Sequence, residues 1–391
     1  MALDVKALRA DTPGCEHVIH FNNAGAGLMP QPVIDAVQGH LTLESIIGGY
    51  EAHAAADEAY QDTYRALEEL FGAQKGEVAL LENATRAWDQ VFYGMDFNPG
   101  DRVITAQASY ASNYLAMLQQ KKRKQIEIDV IGNDELGQVD LKALESAITE
   151  QTRLICLTHI PTNGGLINPA AAVGKIARRS GVPYLLDACQ SVGQVAIDVD
   201  EIGCDFLSGT GRKYLRGPRG TGFLYVKSSS LDLIEPPFLD LHSADWTETE
   251  EYKLAKDSSR FENWEGFVAG KIALGSAVRY LQELGPEDVY SRIASLASSF
   301  RDELAGISGV SVHDLGNKKG GIVTFSHDSF QAPRIQAELS DIGVNVNLAY
   351  PKWAKLDADA RNLPMMVRAS VHAYNTDDEV NTFCELIRSL T

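Results

Sequence analysis

The feature that most constrains this chain is an alternation. Short apolar runs at Val78–Leu81, Arg102–Thr105, Ile126–Ile131, Leu154–Thr158, Tyr184–Asp187, Phe206–Ser208 and Gly222–Val226 read as buried strands. Helical patterns such as Leu141–Thr149 and Ala170–Arg179 lie between several of them. Strands that alternate with helices in this way form a sheet covered by helices on both faces. Ligands of such sheets sit beyond the carboxyl ends of the strands, so residues just after each strand carry the most functional information.

The pattern changes after about Asn263. A long helical stretch, Val268–Leu284, stops at Gly285-Pro286, and a second runs from about Glu287 to Leu304. Candidate strands follow at Val310–His313, Ile322–Ser326 and Met366–Ala369, with helices at about Pro333–Ile342 and Asp377–Leu390. Thr376, three residues before Glu379, has the form of a capping box opening the last helix. The expected division is a large domain over residues 16–263 and a smaller α+β domain over 264–391, with residues 1–15 packing on the latter. A length of 391 residues suits two or three domains.

Charge narrows the partners. A net charge of −18 disfavours nucleic acid and anionic lipid, both of which need phosphate neutralisation. No apolar run approaches a membrane span, and Met1-Ala2-Leu3-Asp4 lacks the basic flank and apolar stretch of a signal peptide. The five cysteines are scattered without a Cys-x-x-Cys, which suggests neither a disulfide framework nor a zinc cage. His17-x-x-His20 has no visible third ligand, so no metal site is expected. These observations together lead us to expect a cytoplasmic enzyme.

Polar clusters follow several of the strands. Asn83-Ala84-Thr85-Arg86 opens a helical stretch, where free N–H groups and the helix dipole suit a phosphate, although hydroxyls at helix starts are mostly plain caps. Asp187 closes an apolar strand and must find a partner or stay partly wet, with Gln190 three residues on. The stretch from Ser208 to Gly222 holds five glycines, three arginines and a lysine in fifteen residues. It reads either as the seat of an anionic ligand or as a glycine-rich turn with solvated cations.

The arrangement is more specific than its parts. A strand-end Asp, a Gln three residues later, and Lys213 lying 26 residues beyond the Asp in a Ser/Thr-Gly-rich loop resemble pyridoxal-phosphate (PLP) enzymes of fold type I. The closest likeness is to the class V aminotransferase and cysteine-desulfurase group. It runs from Phe21-Asn22-Asn23-Ala24-Gly25 to the Arg368-Ala369-Ser370 segment that ends at Asn375-Thr376. The resemblance implies a mainly parallel seven-stranded sheet and a homodimer with its active site near the subunit interface. It also implies PLP as cofactor and an amino acid as substrate.

It further implies roles. Lys213 would hold the cofactor as a Schiff base and move the substrate's α-proton, work that needs a lysine with a lowered pKa. Asp187 would pair with the pyridine nitrogen, and Gln190 would contact the ring's phenolic oxygen. Ala84 and Thr85 would seat the phosphate together with Thr210 and Arg212. Arg368 would clamp the substrate carboxylate through a bidentate fork. Ala26, Tyr50 and His53 are further substrate-side candidates, as are His242, Trp246 and Tyr350.

This chain departs from the pattern in several places. Tyr110 stands where many relatives stack a histidine, keeping an aromatic face but exchanging imidazole for phenol. Arg212 replaces the histidine before the lysine. Thr162, with Asn163 beside it, replaces an asparagine near the phenolic oxygen. Glu265 replaces a phosphate-contacting threonine in the segment Arg260–Glu265, which in these dimers reaches the partner's cofactor. Desulfurases carry a sulfur-accepting cysteine on a mobile loop before the carboxylate arginine, yet Asn345 through Val367 contains none. Cys189 reads as packing. The segments Gly48–Ala52 and Gly211–Gly220 resemble desulfurase-like enzymes without that thiol: C–S lyases, ergothioneine-type sulfoxide lyases and the isopenicillin N epimerase group. The resemblance therefore implies a lyase that cleaves a sulfur β-substituent, with Tyr110 and Lys213 as proton-transfer candidates. A class V aminotransferase is the alternative, and a racemase a more distant one.

Overall fold

The computed structural model describes residues 3–390. Seven strands form one sheet: β1 (Val78–Leu81), β2 (Arg102–Ala106), β3 (Glu127–Ile131), β4 (Thr152–Thr158), β5 (Tyr184–Asp187), β6 (Phe206–Thr210) and β7 (Gly222–Val226). Their order is β1-β7-β6-β5-β4-β2-β3. β7 runs antiparallel to both of its neighbours, and every other pairing is parallel. All seven strands expected from the apolar runs are present, each within two residues of its expected ends.

Side-chain alternation explains why these runs are apolar throughout. Leu80, Ile104, Ile155, Leu157, Leu186, Leu207 and Phe223 face one core, shared with Leu67 and Phe71 and with Val173 and Ile176 of the helix Ala170–Ser180. Their neighbours Ala79, Leu81, Val103, Leu154, Leu185, Phe206 and Leu224 face a second core, with Trp88, Val91 and Phe92 of the helix Ala84–Gly94. A sheet buried on both faces has no side on which polar alternation can be wetted. Each fully buried Leu, Val or Phe contributes about 1.5–3 kcal/mol.

A second, antiparallel sheet has β8 (Val310–Val312), β9 (Ile322–His327), β10 (Asn347–Ala349) and β11 (Met366–Ser370) in the order β8-β9-β11-β10. It is tied back to the N-terminal segment. Ile19–His20 pairs in parallel with Val344–Asn345, and Phe21 O accepts the Ser370 N–H at 2.7 Å. Arg9 donates to Tyr374 O and to Glu379, so the first helix sits against the last. The capping box of that last helix, Asp377–Ser389, is present, with Thr376 and Glu379 reciprocally bonded.

Strand order reverses around β2, with β3 on one side and β4 on the other. That is the topological switch at which open α/β sheets bind ligands. Tyr110 follows β2, Thr162 follows β4, Asp187 ends β5 and Thr210 ends β6, so the topology alone gathers these four at one edge.

Candidate active site

A cleft of about 680 Å³ opens at this edge. Its lining includes Ala84, Thr85, Tyr110, Thr162, Asp187, Gln190, Thr210, Arg212 and Lys213, so nine residues singled out from five separate stretches of sequence converge on one space. Glu82, Arg86, Asp89, Cys189 and Arg219 also line it.

Asp187 is held rigidly. Its Oδ2 accepts from Asn113 Nδ2 at 2.8 Å and its Oδ1 from the Cys189 N–H at 3.0 Å. Burial pushes its carboxyl above the ordinary value, while the Cys189 N–H, Lys213 and Asn113 pull it back. A buried carboxylate held this way is a ready partner for a cationic ring nitrogen. Asn113 lies three residues after Tyr110, in the first turn of the helix Ala111–Lys124. Sequence reasoning gave it no role, and only its position after β2 could have suggested one.

Lys213 is 8% exposed. Burial lowers its pKa, and the nearby Arg212 and Arg368 lower it further, against a raising influence of Cys189. Its loop is fixed by backbone contacts: Gly27 N–H donates to Arg212 O at 2.8 Å and Arg216 N–H to Lys213 O at 3.0 Å. Gly27 is required there, because a Cβ would come within 2.7 Å of Lys213 O.

The phosphate-like end combines two features. The helix Ala84–Gly94 begins at the cleft with Asn83 as its cap, Asn83 Oδ1 accepting from Arg86 N–H at 3.0 Å. Ala84 and Thr85 lie in its first turn, whose N–H groups lack intrahelical acceptors. Across from them, Thr210 donates to Thr221 O and receives a bond from Arg212 Nη1 at 3.1 Å. Gly222 lets the capping loop approach β7, since a Cβ would meet Asn83 C at 2.5 Å. A side chamber of about 280 Å³ shares Glu82, Arg86, Asp89 and Gly220 with the cleft and includes Glu265 in its wall.

Arg368, on β11, is buried. Its Nη1 donates to Thr162 O at 3.0 Å and Thr162 Oγ1 at 3.1 Å, and its Nε has no partner among the described residues. Burial lowers its pKa to about 10, so the guanidinium stays charged at neutral pH. Gln190 Nε2 donates to Ala24 O at 3.2 Å, and its amide oxygen is buried without a partner among the described residues. Unpartnered buried polar atoms of this kind mark positions a ligand can complete.

Other candidates lie elsewhere. Asn163 donates to Tyr350 O at 2.9 Å and lines a separate, smaller void, so Thr162 is the one of the pair at the cleft. Ala26 belongs to the loop beside Arg212, its carbonyl 2.8 Å from His20 Nε2. Tyr50 is 73% exposed on the helix Gly49–Ala55, and the His53 ring lies tilted against Tyr60 with centroids 4.7 Å apart. Neither Tyr50 nor His53 reaches the cleft of its own chain. His242 lies 3.7 Å from Glu262, and Trp246 stands exposed on the hairpin Ala244–Glu248/Glu251–Leu254.

The donor set fits pyridoxal phosphate. It offers an amine for the aldehyde, a pinned carboxylate for the pyridinium, an aromatic face, and hydroxyl, N–H and guanidinium groups for the phosphate. The fold and this site define a PLP-dependent enzyme of fold type I.

Comparison with known proteins makes the assignment specific. The chain belongs to the aminotransferase class-V family, which matches residues 19–383. A probable cysteine desulfurase of Halobacterium salinarum is 30% identical over 97% of this chain and 94% of its own length. One from Pyrococcus abyssi is 27% identical over 98% of each chain. Among solved structures, the cysteine desulfurase of Thermococcus onnurineus covers 100% of this chain and 98% of its own, with TM-score 0.93 and 26% identity. The cystine C–S lyase C-DES, crystallised with its product cysteine persulfide, shares the fold at TM-score 0.86 and 23% identity over 96% of this chain and 98% of its own. The protein is thus a PLP-dependent class V enzyme similar to cysteine desulfurases, and no helix among the described residues is long and apolar enough to cross a membrane.

Proposed function

We propose that this enzyme cleaves the carbon–sulfur bond of a β-sulfur-substituted amino acid by β-elimination, without a catalytic cysteine. The observation that carries this reading is where the thiols are. Cys156, Cys204 and Cys384 are buried, Cys15 is packed near Arg9 and Arg216, and only Cys189 lines the cleft. The segment before Arg368 holds β10, a short 3-10 helix at Pro351–Ala354 and the helix Lys355–Arg361. It contains no thiol to accept sulfur.

Bound at Lys213, the cofactor supplies an electron sink for the bonds at the substrate's α-carbon. The protein's residues do the rest. Arg368 binds the α-carboxylate and fixes which bond at Cα faces the lysine. Lys213, neutral once its proton is shed, takes the α-proton at Nζ. Asp187, held by Asn113 and the Cys189 N–H, would be the carboxylate that pairs with the ring nitrogen. Ala84, Thr85, Thr210 and Arg212 would hold the phosphate. Tyr110, which lines the cleft, would offer its aromatic face to the cofactor ring, and its hydroxyl would be the proton donor to the departing sulfur.

The enzyme acts as a homodimer in this reading. Tyr50, Phe238, Leu241, Trp246 and Trp264 are all more than 60% exposed, apolar surface of the kind that subunit contacts cover. The exposed Tyr50 ring would then be available to the second copy. Five free cysteines suit the reducing cytoplasm.

The test is incubation with cystine, cysteine conjugates and their sulfoxides, with pyruvate and ammonia assayed together. Equal yields of pyruvate and ammonia, with the cofactor spectrum restored, are expected. Conversion to a pyridoxamine spectrum that only an added keto acid reverses would sink the lyase reading and make the enzyme an aminotransferase.

A further inference from the structure

Three described residues other than glycine hold a positive φ: Gln125, Asn362 and Arg216. The first two close helices, where a left-handed cap is ordinary. Arg216 closes none. It sits at φ +63° in the loop after Lys213, a conformation that a bulky residue keeps only where its surroundings hold it. The residue is also 3% exposed, so a guanidinium has been taken out of water at the same place. Two costs at one residue call for a reason.

Its backbone and its side chain serve different parts of the chain. The Arg216 N–H donates to Lys213 O at 3.0 Å and the Gly217 N–H to Gly211 O at 2.8 Å. Residues 211–217 therefore form a closed loop with Lys213 inside it and Arg216 at its foot. The side chain leaves that loop: Nε donates to Leu28 O at 2.7 Å and Nη2 to Thr12 Oγ1 at 2.6 Å. The Thr12 hydroxyl itself donates to Leu8 O at 2.7 Å, which leaves its lone pairs for the arginine. The guanidinium carbon lies 4.9 Å from the centre of the Tyr374 ring and 5.7 Å from that of Tyr280. None of these partners is a carboxylate. A buried guanidinium is usually kept by an ion pair, and here a carbonyl, a hydroxyl and two aromatic faces take its place. Thr12 and Leu28 lie on either side of Phe21, whose carbonyl accepts from Ser370 of β11. The fork thus joins the lysine loop to the segment bound to the strand that carries Arg368.

We propose that Arg216 is the positioning residue of Lys213. Its fork fastens the foot of the lysine loop to Thr12 and Leu28, and through their segment to β11, so that Nζ keeps a fixed place relative to Arg368. Proton transfer at a positioned amine fails steeply with displacement, and a misplacement of about 1 Å can lower a rate by about a hundred-fold. Arg216 touches neither substrate nor cofactor on this account and moves no proton. The inference rests on Lys213 being the cofactor lysine, and it holds for β-elimination and transamination alike.

The test compares three variants of the full-length, cofactor-loaded enzyme with the natural protein. Arg216→Met keeps the stem and removes the fork, and Thr12→Val keeps Arg216 but removes one of its acceptors. Ile387→Ala, a cavity at a fully buried position of the last helix, is the reference for lost stability alone. Melting temperature, circular dichroism of the cofactor band per bound cofactor, and kcat and KM for cystine are measured on each. An achiral ring acquires dichroism only from fixed asymmetric surroundings, so that signal reports how firmly the lysine and cofactor are held. Arg216→Met should keep the absorbance, lose most of the dichroism, and show kcat lowered by about a hundred-fold with KM unchanged. Thr12→Val should show a smaller loss of both, and it decides the matter if Arg216→Met does not fold. Ile387→Ala should melt earlier and keep both. Dichroism and kcat lowered no further than in Ile387→Ala, or a rise in KM alone, would overturn the proposal. If the natural protein does not turn over cystine, the lyase reading is weakened and the dichroism still decides this one. Borohydride labelling keeps the two apart: a label on another lysine would sink the assignment of Lys213, whereas a label on Lys213 with unchanged dichroism would sink only the proposal.

Discussion

The inner end of the cleft and its rim are built differently. At the inner end Asp187, Gln190, Lys213 and Arg368 are each 8% exposed or less, and every one is held by contacts from another part of the chain. At the rim, Thr85, Arg86 and Arg219 are exposed, and away from the cleft Tyr50, Trp246 and Trp264 stand in solvent. Chemistry common to the family needs fixed dipoles in a dry place, and the sheet supplies them. A family match can therefore identify the cofactor while leaving the bond to be broken as a separate question.

Substitutions can break this contrast or sharpen it. The largest effect is expected from Lys213→Ala, which should lower turnover by about a thousand-fold or more and remove the borohydride-reducible absorbance. Tyr110→Phe keeps the ring and deletes the hydroxyl. Cofactor binding should survive while kcat falls by about a hundred-fold, and an unchanged kcat would remove Tyr110 from proton transfer. Arg368→Lys should act mainly on KM, by roughly ten-fold, because a lysine cannot reproduce the bidentate fork.

Acid should weaken the fold in a defined window. Burial lowers the pKa of His159 to about 4 and of His372 to about 3. Both stay neutral in the folded protein below the pH at which an unfolded histidine takes a proton. Their contribution is fully present above about pH 6.5 and is lost as pH falls through the folded values. Chemical denaturation between pH 7 and 4 should show stability falling by a few kcal/mol. His372→Asn should flatten that slope.

How much of this was legible in the sequence follows from burial. The seven strands of the main sheet were readable because sheets covered on both faces demand unbroken apolar runs. Helices at Gln31–Ile47, Gly49–Ala55 and Asp57–Phe71 were not read. In the first of them only Val33 and His40 are buried, and Ile46 is 72% exposed, so no clean apolar stripe marks it. The hairpin at Ala244–Leu254 is almost wholly exposed, and the strands Val344–Asn345 and Asn347–Ala349 are too short for any period to appear. At the site, Asp187, Lys213 and Thr210 stood out because polar residues at the ends of apolar strands need a reason. Cys189 and Asn113 did not, since a thiol or an amide near a strand end is unremarkable until its partner is seen.

The most direct test of the account is borohydride reduction of the purified protein followed by peptide mapping. It predicts a single pyridoxyl-labelled lysine, Lys213, and loss of the label in Lys213→Ala. A label on any other lysine, such as Lys271, or protein that binds no cofactor at all, would contradict it.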